Sequence, residues 1–148
     1  MAVEQEVKRL CEEAVEAFNN HDPDRFLSYC SNNAVYRDVS QQEIVHNLQS
    51  LKEILSSYWS ACPDVRASIE SLIVDKERAC LQARLRGTQR GKLATVVGKI
   101  DPTGLQIDLP TCLVLRVEDG KIREAVQYYD ALSLLRQLGA LSLLAKAA

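Results

Sequence analysis

"LPTCLVLRVEDGKIREAVQYYDALSLLRQLG", residues 109 to 139, decides how the chain folds. Leu109, Leu113, Leu115 and Val117 alternate with Cys112 and Val114, so Leu105 to Val117 reads as a strand with two apolar faces. The turn "EDG" sends the chain back along a second strand, Lys121 to Tyr129, and a helix follows from Ala131 to the Gly139 stop. A strand buried on both sides of one sheet needs a second layer, most simply another copy of the chain, which predicts a homodimer. Asp130 stands where the strand becomes the helix, either as that helix's cap or as a carboxylate facing a pocket.

Upstream the same period-2 pattern continues. Val65 to Val74 and Ala79 to Arg86 read as strands around the turn "DKER". Leu81, Ala83 and Leu85 share one face, and Gln82, Arg84 and Arg86 the other, with Arg66, Ser68 and Glu70 forming a similar polar row. These arginines are expected to point away from any interior pocket. Nearer the start the period becomes 3.6. Val3, Val7, Leu10, Ala14 and Phe18 mark a first helix ending at "NNHDP", and Asp22 caps a short second helix with Pro23 at its first position. "AVYRDV", Ala34 to Val39, is a candidate strand. Ser40 and Glu43 form an S-x-x-E capping box before Ile44, Leu48, Leu51, Leu55 and Tyr58, predicting a third helix that stops before Pro63. "ALSLLAKAA" is read as a tail. Helices, then a meander, then a helix define an α+β fold, and residues 1–148 form a single domain.

The composition narrows the partners. With 20 acidic against 18 basic residues the chain carries no basic surplus, so nucleic acid and anionic membrane surfaces are not expected. No apolar run approaches the roughly 20 residues of a membrane span, and "MAVEQEVKRL" lacks the apolar core of a signal peptide. Five cysteines are scattered singly without a CxxC, which predicts free thiols rather than a disulfide frame or zinc site. The expected setting is the cytoplasm.

Four stretches in order, "CPDV" (Cys62 to Val65), "RGTQRG" (Arg86 to Gly91), "EDGKI" (Glu118 to Ile122) and the D-x-x-x-L-x-x-Q-L-G run from Asp130 to Gly139, carry a resemblance to a known family. Over roughly Val7 to Gly139 the chain resembles the SnoaL-like polyketide cyclase branch of the NTF2-like superfamily. The resemblance implies an NTF2-like cone: helices packed on a strongly bent antiparallel or mixed sheet around an apolar cavity, often dimeric through the outer sheet face. It implies no metal or organic cofactor. The aspartate matching Asp130 would act as acid/base in an intramolecular aldol ring closure. At Gln89 the chain departs from the frequent "GTH", so chemistry relying on an imidazole there is not implied.

Asp130 and Asp38 are therefore the expected catalytic residues, and Tyr36, Trp59, Gln89 and Tyr128 the expected substrate-binding ones. An unbulged last strand would put Asp130 on the face of Ile122, Val126 and Tyr128, where an apolar wall would raise its pKa. Tyr36 and Asp38 share a face of the first strand, and a carboxyl beside a phenol could orient or protonate a carbonyl oxygen. As an ordinary structural residue Asp38 would instead bond the turn entering the next helix. His21 and His46 read as solvated. The expected activity is cyclase or isomerase chemistry on a small hydrophobic carbonyl compound; the alternative is a non-catalytic binding protein or dimeric adaptor. Epoxide hydrolysis would need an R-x-D strand motif, and "ARLRG" supplies no such carboxylate.

Overall fold

The computed structural model describes residues 2–147 of the chain. In chain order the elements are α1 (Ala2–Asn19), α2 (Pro23–Ser28), β1 (Cys30–Asp38), β2 (Glu43–Val45), α3 (Leu48–Ala61), β3 (Arg66–Asp75), β4 (Arg78–Thr88), β5 (Leu93–Thr95), β6 (Gly98–Ile100), β7 (Gln106–Glu118), β8 (Lys121–Tyr129), α4 (Ala131–Gln137) and α5 (Leu143–Ala147). Six strands form one sheet in the order β2-β1-β8-β7-β4-β3, and β5 pairs with β6 as a separate hairpin. The sheet is mixed, because β1 lies parallel to β8 while every other neighbour is antiparallel.

The helices cover one face of this sheet. Val7, Leu10, Cys11 and Ala14 of α1 pack with Leu81, Leu115, Val117 and Ile122 in one core cluster. A second cluster joins Leu55 and Trp59 of α3 to Leu93, Ile107 and Leu109 and to Leu134, Leu135 and Leu138 around α4. The turn between β7 and β8 needs both of its central residues in the left-handed region, and Asp119 (φ 52°) and Gly120 (φ 74°) supply it. α4 stops at Gly139 (φ 66°), where the Ala140 N–H donates to Leu135 O at 2.8 Å and the Gly139 N–H to Arg136 O at 3.1 Å.

The third helix begins later than the capping box implied. Glu43 to Val45 instead pair with β1 as an edge strand (Tyr36 with Val45, Asp38 with Glu43), and Asn47 caps α3 through its side chain, which accepts the Ser50 N–H at 2.8 Å. Ser40 donates its hydroxyl to Tyr129 O at 2.8 Å, so it ties β1 to β8 rather than starting a helix. The β5–β6 hairpin was not legible from its three-residue strands, and the tail contains α5, with Ala148 outside the described residues.

Two of the quoted motifs make one joint. Asp64 of "CPDV" accepts the Thr88 N–H at 2.7 Å and the Thr88 hydroxyl at 2.9 Å, and that backbone N–H holds its carboxyl below the usual range. The N–H groups of Arg90 and Gly91 donate to Ala61 O at 2.8 and 3.0 Å, closing the end of α3. Gly91 passes so close that a Cβ there would sit 2.5 Å from Ser60 O, a backbone atom. Gly91→Ala is therefore expected to cost about 1–3 kcal/mol, the usual penalty of forced overpacking, read as a lower midpoint in urea unfolding.

Candidate functional site

The inner face of the sheet grades from hydrocarbon to polar along its hydrogen-bonded rows. One row runs Leu72, Leu81, Leu113, Gln127, Asp38 from β3 to β1. Its neighbour toward the C-terminal end of β8 sets Ile69, Ala83 and Thr111 beside Tyr129. Three irregularities establish these rows, one of them a register shift of β1 against β8 between Cys30 and Val35. Glu70 is an extra residue in β3, and Arg123 is one in β8, where Val117 pairs with Ile122 but Arg116 pairs with Glu124. Without the second bulge Leu115 would face Glu124 on the inner side. With it, Glu124 lies outside against Arg116, and Ala125, Gln127 and Tyr129 turn inward.

Between this face and the helices lies a chamber of about 150 Å³. Its wall is hydrocarbon and thiol except for Tyr36, Tyr58, Thr111 and Gln127. A second chamber of about 80 Å³, with Gln41, Tyr129 and, against the expectation that the arginines face away, Arg86 in its wall, adjoins it, and Phe18, Tyr58, Leu85 and Gln127 belong to both. These shared side chains form a collar between the chambers.

The polar groups around the collar form two linked sets. Tyr36 donates its hydroxyl to Gln127 Oε1, Gln127 Nε2 donates to Thr111 Oγ1 at 3.2 Å, and Thr111 donates to Tyr128 O at 3.3 Å. In the second set Asp38, 1% exposed, accepts from the Gln41 N–H at 3.1 Å, from Gln41 Nε2 at 3.4 Å and from the Tyr129 hydroxyl at 3.4 Å. Gln41 Nε2 also reaches Tyr129 Oη at 3.3 Å. No cation stands within ion-pair distance of Asp38 among the described residues. Burial pushes the Asp38 carboxyl above the usual range, only partly offset by the Gln41 N–H. Burial also raises the phenols of Tyr36 and Tyr58, and pushes Tyr129 up to about 12, so all three remain protonated donors at neutral pH. Asp38 itself does not line either chamber; Gln41 and Tyr129 stand between it and the outer one.

Of the residues singled out from sequence, Tyr36 and Asp38 come together with this cluster. Asp130 does not: it is exposed, and its carboxylate accepts the Ser133 N–H at 3.1 Å as the cap of α4. The parity that would have turned it inward fails at the Arg123 bulge, which also leaves Tyr128 on the outer face, 48% exposed. Gln89 is fully buried but spends its amide on the β5–β6 region, donating to Gly91, Ile100 and Asp101 carbonyls and accepting from Thr103. Trp59 packs in the α3–α4 core rather than in a chamber wall, stacked on His21 with ring centroids 5.1 Å apart, so His21 is not a solvated loop histidine. Gln41, Gln127 and Tyr129 escaped the sequence reading. The available signal was a glutamine and a tyrosine alternating with Val126 and Tyr128, which points inward only once the bulge is known.

Among the described residues no group of three or more His, Cys, Asp or Glu could hold a metal ion, and no helix is long and apolar enough to cross a membrane. Helices on one face of a mixed, bulged sheet, with polar groups gathered at one end of an apolar interior, place the chain in the NTF2-like, ketosteroid isomerase-like fold class. More narrowly, the chain belongs to the SnoaL-like polyketide cyclase family, whose sequence profile matches residues 8–138. No curated protein matches it. Among solved structures it is similar to AclR of Streptomyces galilaeus, described as a proposed hydroxylase, at 24% identity, covering 92% of this chain and 97% of that one with a TM-score of 0.79. It is also similar to a proposed SnoaL-like polyketide cyclase of Jannaschia sp. CCS1 at 17% identity, covering 95% and 96%, TM-score 0.84. A protein of ketosteroid isomerase-like fold from Catenulispora acidiphila, in complex with trimethylamine, matches at 15% identity over 88% and 92%, TM-score 0.74. At these identities the likeness carries the fold alone.

The bond to Ser133 gives Asp130 a measurable structural role. Asp130→Ala is expected to lose about 1 kcal/mol of stability and Asp130→Asn a few tenths at most, because Asn caps as well as Asp. Chemical denaturation of the three proteins checks this.

Proposed function

We propose that the chain is a cofactor-free cyclase or isomerase acting on a small hydrophobic carbonyl compound, with Tyr129 as the group that meets substrate and Asp38 as the positioning carboxylate behind it. The observation that carries this is a buried, cation-free Asp38 hydrogen-bonded to a phenol in a chamber wall. Membership of a cyclase family supports the reaction class. As ionised Asp38 accepts the Tyr129 proton, the Tyr129 oxygen takes a proton from the carbon beside the substrate carbonyl. Gln127 Nε2 has one N–H beyond the bond it gives Thr111, and this donates to the enolate oxygen formed. The enolate carbon then attacks a second carbonyl of the same molecule, or is reprotonated, and the proton held on Asp38 returns through Tyr129. Both proton transfers are thus handled by groups of the chain itself. The retreat of Asp38 behind the wall favours a second reading, a non-catalytic binding protein whose polar collar only orients its ligand.

Exchange of ketone α-protons in deuterated water, followed by proton NMR on acetophenone, 1-indanone and cyclohexanone, separates the two. The wild type is expected to catalyse exchange and Asp38→Asn to lose 10²–10⁴-fold, since an amide cannot take the proton. Equal rates leave the binding protein. The rate should rise as pH passes the raised Asp38 pKa, without a falling limb below the phenol near 12. Stability runs the other way. Because the folded chain holds this proton more tightly than the unfolded chain, whose Asp titrates at about 3.9, the Asp38 contribution falls as pH rises from about 4 through the raised folded value. Asp38→Asn should therefore gain in melting temperature over wild type between acid and neutral pH.

We also propose that two copies pair through the outer sheet face. Ile73, Cys80, Val114 and Val126 form one continuous row across four strands, with Ile73 61% exposed. Sedimentation velocity at micromolar concentration should show a dimer, and Val114→Glu a monomer. A monomeric wild type would refute the pairing.

A further inference from the structure

The two chambers are too small together for a drug-sized ligand, whose pocket measures on the order of 300–1,000 Å³. The inner one, at about 150 Å³, is the size at which a dry cavity walled by aliphatic and aromatic side chains takes one benzene-sized ring. Among the described residues its lining holds no charged side chain, and an ionised group brought there would lose its hydration without a partner. Thiols apart, the hydrogen-bonding side chains among its described lining residues are Tyr36, Tyr58, Thr111 and Gln127. Tyr36 Oη is already committed to Gln127 Oε1, Tyr58 hydrogen-bonds with Tyr36, and Thr111 donates to Tyr128 O. The second Nε2 hydrogen of Gln127 is left over, a donor and not an acceptor.

We infer that the inner chamber is a single-ring subsite: it takes one uncharged six-membered ring, aromatic or alicyclic, whose attached carbonyl oxygen stops at the collar and accepts from Gln127, while the rest of the substrate lies in the outer chamber. The ring fills the space between α1 and the β4–β7 strands, and Leu81, Ala83 and Leu113 form its sheet-side wall. At the packing density of a protein interior, about 0.74, the inner chamber takes one six-membered ring but not a fused pair, which has to leave its second ring at the collar, where Tyr58, Leu85 and Phe18 close around it. The substrate class is thus a ketone with a terminal single ring, rather than a fused polycycle entering end-on. This deepens the proposed function and rests on it for the meaning of the carbonyl, but the subsite is tested by binding alone.

Titration calorimetry with acetophenone, ethylbenzene, benzoate and 2-acetonaphthalene gives the ranking. Acetophenone should bind tightest. Ethylbenzene should be about fivefold weaker, the worth of one neutral hydrogen bond, and benzoate and 2-acetonaphthalene at least tenfold weaker. Intermolecular NOEs should connect the acetophenone ring protons to the methyl groups of Leu81 and Leu113. Ala83→Leu fills the chamber and should abolish acetophenone binding without lowering the melting temperature, and Gln127→Leu should remove the preference for acetophenone over ethylbenzene. Should the filled variant fail to fold, the wild-type ranking and NOEs decide alone. Equal or tighter binding of 2-acetonaphthalene, or NOEs confined to outer-chamber residues, overturns the inference. Acetophenone bound as described without α-proton exchange defeats only the catalytic reading, whereas exchange that is indifferent to ring number defeats only the subsite.

Discussion

One inserted residue, Arg123 in β8, sets the inner face of the sheet. An unbulged hairpin closed by Asp119 and Gly120 would place Glu124 against Leu115, in a chamber whose described lining residues include no cation to meet it. Desolvating that carboxylate costs several kcal/mol, far more than one irregular rung of the ladder. The bulge moves Glu124 out beside Arg116, and the same half-turn brings Ala125, Gln127 and Tyr129 in and puts Val126, Tyr128 and Asp130 outside. The polar end of the cavity and the apolar row of the outer face are consequences of a single register choice.

β1 completes the arrangement by lying parallel to β8, which sets Tyr36 beside Ala125 and Asp38 beside Gln127. A parallel neighbour requires a crossover, and here the chain from β1 to β8 passes through α3, the β3–β4 pair and β7. The joint of Asp64 with Thr88, and of Ala61 with Arg90 and Gly91, fixes where α3 ends against the sheet. That end carries Tyr58, one of the two polar collar residues shared by both chambers. The motifs that mark the family in sequence therefore hold the wall of the site, Arg86 included, while the hydrogen-bonding groups of the collar come from outside them.

Asp38 shows how a turn residue becomes a chemical one. Its bond to the Gln41 N–H is the ordinary turn interaction of an aspartate leaving a strand. Burial between β2 and β8, beside Tyr129, adds the desolvation that lifts its pKa. The N–H that holds the side chain in place also limits that rise, so the group stays between a fixed structural anion and a proton carrier.

The sequence by itself determined the α+β class, the strands from β3 to β8 apart from the short hairpin, the Asp22 cap, the Gly139 stop and the inward face of Leu81, Ala83 and Leu85, because each follows from a local period, turn or cap. It also brought Tyr36 and Asp38 forward, since two residues apart on a strand share a face. What the tertiary structure alone decided were the extra residues in β3 and β8, the edge strand that displaced the start of α3, and the parallel placement of β1. Each depends on which side chains would otherwise be buried against a distant strand. A one-residue slip reverses every side chain beyond it, and for that reason Asp130 and Tyr128 went out while Gln127 and Tyr129 came in.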